Sequence, residues 1–161
     1  MKTLFDKSSE CEIHVTRGFD ASRQRIWEMY TQAEHLKHWW GPEGWTLPVC
    51  ELDFRLGGVW FYCMAGPDDM TSCGKATYLE IDPPRRLVYT DAFADADGRV
   101  LDSFPEAHIT VEFSEDDGRT TVLSVVRYDT QEQRDQIVEM GAEAGIDQTL
   151  DRLEAYLESA G

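Results

Sequence analysis

Two short runs hold side chains that could do chemistry together. Residues 59 to 65 place Trp60, Tyr62 and Met64 at alternate positions, and residues 86 to 94 do the same with Leu87, Tyr89, Asp91 and Phe93. In an extended strand every second side chain points to the same face. Each run therefore presents one mainly apolar face, and the second carries a single carboxylate between a phenol and a phenyl ring. On such a face a carboxylate loses water, and desolvation raises its pKa toward the range useful for proton transfer. Asp91 is the candidate for hydrogen bonding a ligand or acting as a weak general base. The bland alternatives are pairing with an arginine or pointing to solvent near the strand end. Alternation locates the face and leaves open whether it walls a cavity or fills a solid core.

No complete catalytic constellation accompanies these residues. A nucleophile needs a base within reach and a third group that orients the base. The chain has no Gly-x-Ser-x-Gly, His-Glu-x-x-His or glycine-rich phosphate loop. His14 and His108 stand apart, while His35 and His38 share a short helix without further metal ligands and read as a solvated helix surface. Cys11, Cys50, Cys63 and Cys73 form no Cys-x-x-Cys pair and read as small buried hydrophobes, with Cys50 and Cys63 the two that a hairpin could bring together. No metal and no cofactor are expected.

The elements that must position these side chains follow from periodicity and turn residues. Period-two alternation predicts a strand over 11–19, and Asp20-Ala21-Ser22 offers caps for a helix over 23–30. A second short helix, 33–40, runs into Gly41-Pro42. Strands follow at 45–54, 59–65, 71–81, 86–94, 107–114 and 120–128, separated by Gly57-Gly58, Gly66-Pro67, Pro83-Pro84, Asp97-Gly98 and Asp117-Gly118. Pro83-Pro84 reads as an extended link. Such short connections favour antiparallel pairing, because parallel crossovers need a dozen or more residues. Residues 131–159 contain no proline and carry Ile146, Leu150, Leu153 and Leu157 at helical spacing, predicting one long amphipathic helix. Gly141, Ala144 and Gly145 fall on it, and their small volume allows close approach by either the sheet or a ligand.

Charge and length bound the function. The chain has 161 residues, 42% of them apolar, enough for a core in one domain spanning 1–161. It carries 31 acids against 15 bases, a formal charge of −16 that repels phosphate backbones and anionic lipid surfaces. Neither nucleic acid nor membrane is expected as a partner. The polar start and the lack of a long apolar run lead to a cytoplasmic expectation. Nine acids and two bases fall within 129–161, and like charges four apart repel along a helix. That repulsion alone would make the melting temperature rise with salt.

Ordered pieces along the chain resemble a known family: Arg17-x-Phe19, Ile26-Trp27, His38-Trp39-Trp40-Gly41-Pro42, Asp53-Phe54-Arg55-Leu56-Gly57-Gly58, Gly74, the stretch from Glu80 to Leu87, and Leu150-Asp151-Arg152-Leu153. They resemble the branch of the helix-grip superfamily named after the activator of heat-shock protein 90 ATPase, related to the birch pollen allergen, steroidogenic acute regulatory lipid-transfer domains and polyketide cyclases. The resemblance implies an α+β fold in which a curved antiparallel sheet of about seven strands wraps a long C-terminal helix, with two short helices between the first and second strands. Members often carry Gly-Trp in the middle of the last helix, where this chain reads Ala144-Gly145-Ile146. Within the motifs, Asp53 and Arg55, two apart on a strand, read as a structural pair or as a tie to the Trp39-Trp40 loop.

The leading function is a binding protein whose internal cavity accepts a small apolar or aromatic ligand, lipid- or polyketide-like, walled by Trp39, Trp60, Tyr62, Met64, Tyr89, Asp91, Phe93, Gly141 and Gly145. One alternative is a chaperone-interacting ATPase-activator-like module, although the activators themselves carry a further N-terminal domain that 161 residues are not expected to accommodate. Another is a cyclase or hydrolase acting on a hydrophobic substrate. A homodimer through an exposed sheet edge or the convex face of the sheet is a further expectation.

Overall fold

A computed structural model describes residues 2–160. A short strand β1 (Leu4–Asp6) precedes β2 (Glu12–Phe19), and helices α1 (Arg23–Thr31) and α2 (Ala33–Trp39) follow. Strands β3 (Thr46–Leu52), β4 (Val59–Ala65), β5 (Thr71–Asp82), β6 (Arg86–Ala94), β7 (Ala107–Asp116) and β8 (Arg119–Arg127) lead to α3 (Gln131–Glu139) and α4 (Ala142–Ala160). All eight strands join one antiparallel sheet in the order β1-β2-β8-β7-β6-β5-β4-β3. The eighth, beyond the seven expected, is β1, whose three residues alternate too briefly to signal a strand but pair with His14 to Thr16 on β2.

Local chemistry explains most boundaries. Ser22 Oγ accepts the Arg25 N–H (3.2 Å) and Thr130 Oγ1 accepts the Gln133 N–H (3.1 Å), side-chain caps that start α1 and α3. Extended backbone at Gln32 separates α1 from α2. Two departures from the sequence reading concern turns. Residues 83–85 form a tight turn rather than an extended link, with the Arg85 N–H donating to the Asp82 carbonyl (2.8 Å). The expected single helix over 131–159 is two helices, because Gly141 takes φ +91°, the left-handed conformation that ends α3. Helical periodicity cannot detect this break, since α3 and α4 each keep their own apolar stripe.

The sheet curves around a core built from α1, α2 and α4. Register shifts between Thr46 and Val49 and between Tyr78 and Glu80 mark irregularities of the kind that bend a sheet. At one end the concave face is packed solid. Trp27 meets Phe113 edge-on at 5.5 Å, Tyr30 meets Trp39 at 4.9 Å, and the Trp39 indole N–H donates to the Met29 carbonyl (3.1 Å).

Arginines fasten the terminal helices. Arg17, on the concave face of β2 and 1% exposed, donates to Thr3 Oγ1 (2.8 Å) and faces Asp151 (2.9 Å), Glu154 (3.5 Å) and Asp147 (3.8 Å) on α4. Arg152 of α4 reaches back to the carbonyls of Gly41 (2.7 Å), Pro42 (3.2 Å) and His38 (3.3 Å). Arg134 of α3 donates to the carbonyls of Lys7, Ser9 and Glu12. The acids expected to repel along the last helix therefore include three gathered by one guanidinium. Replacing Arg17 with Met is expected to lower stability by about 2–3 kcal/mol, less than a fully buried pair would lose, because the freed acids regain water. Urea unfolding would measure it. The variant's melting temperature should also rise more steeply with salt than that of the wild type, as unmasked like charges are screened.

Candidate functional site

Beyond the packed end, the space between sheet and helices is empty. A cavity of about 620 Å³ lies between the concave face of β4 to β8 and the α3–α4 junction. Of the nine residues expected on its wall, Trp39, Tyr62, Met64, Tyr89, Asp91, Phe93, Gly141 and Gly145 are there. Trp60 is not. It shares the face of Tyr62 and Met64 but sits one step deeper, 2% exposed, against the rings of Trp40 (4.8 Å) and Tyr62 (4.6 Å). Core and cavity therefore divide one face between them. The same rows of alternating residues run from the filled end into the open one.

A cross-strand arrangement fixes the polar centre. Tyr62 on β4 stands opposite Gly74 on β5, and its ring lies where a side chain at residue 74 would project. With no Cβ in the way, the phenol crosses β5 and donates to the carboxylate of Asp91 on β6, at 2.9 Å to Oδ2 and 3.2 Å to Oδ1. Asp91 is open to solvent only in part, through the cavity. Burial pushes its pKa up to about 7, against the opposing pull of the Tyr62 hydrogen bond and with some help from the charge of Glu106. Tyr62 and Tyr89 are held well above the usual phenol range, first by burial and then by the charge of Asp91. Asp91 thus neither pairs with an arginine nor points to bulk solvent. Its partner is a phenol.

Several wall residues carried no local signal. Trp40 and Trp45 come from the α2–β3 connection, Tyr128 follows β8, and Ile137, Met140 and Ile146 come from the terminal helices. Trp45 lies flat over Gly66, a contact between residues with no shared sequence pattern. The Tyr62 and Gly74 pair had a signal, an aromatic facing a glycine across a hairpin, but reading it requires the register. Gly141 and Gly145 play different parts. Gly141 is the helix break, and Gly145 lies within α4 with only Pro42 near its missing side chain.

Other expectations are corrected elsewhere in the fold. His35 and His38 are not simply solvated: His35 Nδ1 lies 2.8 Å from the Tyr156 hydroxyl and His38 stacks on the Tyr156 ring at 4.9 Å, joining α2 to α4. Asp53 and Arg55 pair with each other at 2.9 Å, in the exposed connection after β3 rather than on a strand. The cysteine that faces Cys63 across the sheet is Cys73, and these two form a disulfide, whereas Cys50 lies opposite Tyr62 and is a free thiol. Alternation puts Cys63 on the face opposite Tyr62, so the bridge belongs to the far side of the sheet from the cavity lumen.

An eight-stranded curved antiparallel sheet closed by a C-terminal helix over an internal cavity defines a helix-grip domain. The chain belongs to the family described as Activator of Hsp90 ATPase homolog 1-like protein, which matches residues 20–158. It is similar in structure to protein Ms6760 from Mycobacterium smegmatis, with 29% identity, 98% of this chain and 96% of the other covered, and a TM-score of 0.87. It is also similar to a protein from Arthrobacter aurescens, with 30% identity, coverages of 97% and 91%, and a TM-score of 0.89. A protein from Staphylococcus epidermidis shares 33% identity, with coverages of 98% and 94% and a TM-score of 0.84. No curated protein matches the chain in sequence. No helix among the described residues is long and apolar enough to cross a membrane.

The raised pKa of Asp91 has a stability consequence. An unfolded aspartate releases its proton near 3.8 while the folded one holds it to about 7, so the folded state binds more protons between these values. Its contribution to stability is therefore greatest at low pH and falls as pH rises through this window. Asp91→Asn removes the effect and keeps an acceptor for Tyr62. The variant should gain on the wild type between pH 4 and 7, with the difference levelling off above 7 at about 1–3 kcal/mol, moderated by access of solvent to the cavity. Denaturant titrations of both proteins at several pH values would measure it.

Proposed function

We propose that the domain binds a small apolar or aromatic molecule in the cavity beneath its terminal helices. The observation that carries this reading is an open volume of about 620 Å³ walled mainly by apolar and aromatic side chains, with one phenol–carboxylate pair inside it. Ligand sites generally have this size and character, a greasy lining with few polar groups that fix orientation. Membership of the helix-grip class supports the reading by analogy.

Ile146 offers a direct test. It lines the cavity from α4, and the resemblance to the family implies that tryptophan is accommodated there, so Ile146→Trp should fold while filling part of the void. Apolar and aromatic compounds that bind the wild type should raise its melting temperature by several degrees, since ligand at a hundred times Kd adds about 2.7 kcal/mol. The same compounds should bind Ile146→Trp at least tenfold more weakly by calorimetry. A broad panel that leaves the wild type unstabilised, or affinities that do not change in the variant, would overturn the proposal.

A further inference from the structure

We propose that the cavity selects ligands that bring a positively charged amine to Asp91 on an apolar or aromatic body, and that it discriminates against carboxylates. This rests on the cavity-binding reading and narrows it to one ligand chemistry.

The wall has a negative group without a positive one. None of the described residues lining the cavity is a lysine, arginine or histidine. The cation fastened at the rim, Arg152, is already engaged with the carbonyls of His38, Gly41 and Pro42. Asp91 receives one proton donor, the Tyr62 hydroxyl, although a carboxylate offers about four acceptor positions. A buried carboxylate without a counter-charge is costly, and a ligand ammonium would offset that cost while filling vacant acceptor positions. A ligand carboxylate would do the reverse, setting a second anion beside the first.

The surroundings act in the same direction. Trp40, Tyr62, Tyr89, Phe93 and Tyr128 contribute rings to the wall, and the faces of aromatic rings attract cations. Glu106 adds negative potential at Asp91. The formal charge of −16 over the whole chain draws cations toward any opening and repels anions. A neutral alcohol could donate to Asp91 but would bring no charge, so it belongs between the two extremes.

The experiment compares heads on one body: 4-phenylbutylamine, 4-phenylbutanol and 4-phenylbutyrate, measured by calorimetry on the full chain and on Asp91→Asn. The amine should bind the wild type at least tenfold more tightly than the alcohol, and the acid most weakly. In Asp91→Asn the amine should fall to the level of the alcohol, while the alcohol changes little. A pH series on the wild type needs no variant. The groups facing Asp91 are Tyr62 on β4, Tyr78 on β5, Tyr89 on β6, Tyr128 after β8 and Glu106 before β7. The four tyrosines stay protonated throughout, so proton uptake by Asp91 should weaken the amine roughly eightfold from pH 7.5 to 6, with a much flatter profile for the alcohol.

Acid binding as tight as amine, an unchanged amine affinity in Asp91→Asn, or an amine affinity that strengthens on acidification would overturn the selectivity. In each of those cases measurable binding of any head leaves the cavity reading standing. If none of the three heads binds and the wider apolar panel also fails, both proposals fall together.

Discussion

The geometry of this domain depends on how its terminal helices are held over the sheet. Arg17 sits beneath α4 and gathers three of its acids, Arg152 ties α4 to the connection after α2, and Arg134 ties α3 to the carbonyls around the β1–β2 turn. These are long, directional contacts at the edges of the helices. They fix position without requiring side chains to interdigitate along the whole contact, so the helices can span a space that no core fills. In a chain with twice as many acids as bases, three of its 15 cations are committed to this task.

The concave face then divides into two regimes. Near α1 and α2, large aromatics meet edge-on and leave little room: Trp27, Tyr30, Trp39, Trp60 and Phe113 form a dense cluster. Toward the α3–α4 junction the same strands present Tyr62, Met64, Asp91 and Phe93 to open volume. The packed end supplies the burial that a stable fold needs, which leaves the other end free to remain empty. Gly74 links the two by letting Tyr62 lie across β5, where its hydroxyl meets Asp91. The carboxylate is consequently held in place by one neutral donor, and no base lies among the described residues of the cavity wall.

Much of this was legible one residue at a time. The alternation of Trp60, Tyr62 and Met64 and of Tyr89, Asp91 and Phe93 grouped the side chains that share a face, because strand geometry alone dictates which side chains point together. The boundaries of β4 and β6 followed from flanking turn residues. Less was visible wherever the deciding partner is remote in sequence. The Cys63–Cys73 bridge needs the β4–β5 register, the Trp45 contact needs the path of the chain past Gly66, and the engagement of His35 and His38 needs Tyr156 on a helix more than a hundred residues later.

What the amino-acid order determined by itself is the class of fold and which side chains of each strand share a face, Asp91 among them with Tyr89 and Phe93. Those properties arise from local periodicity, turn chemistry and the resemblance carried by ordered motifs. Only the tertiary structure decided that Trp60 is core while Tyr62 is wall, that Gly141 breaks the last helix in two, and that Asp91 faces a phenol rather than a cation. Each of these is set by the distance between segments far apart in the chain, and a periodic pattern carries directions but no distances.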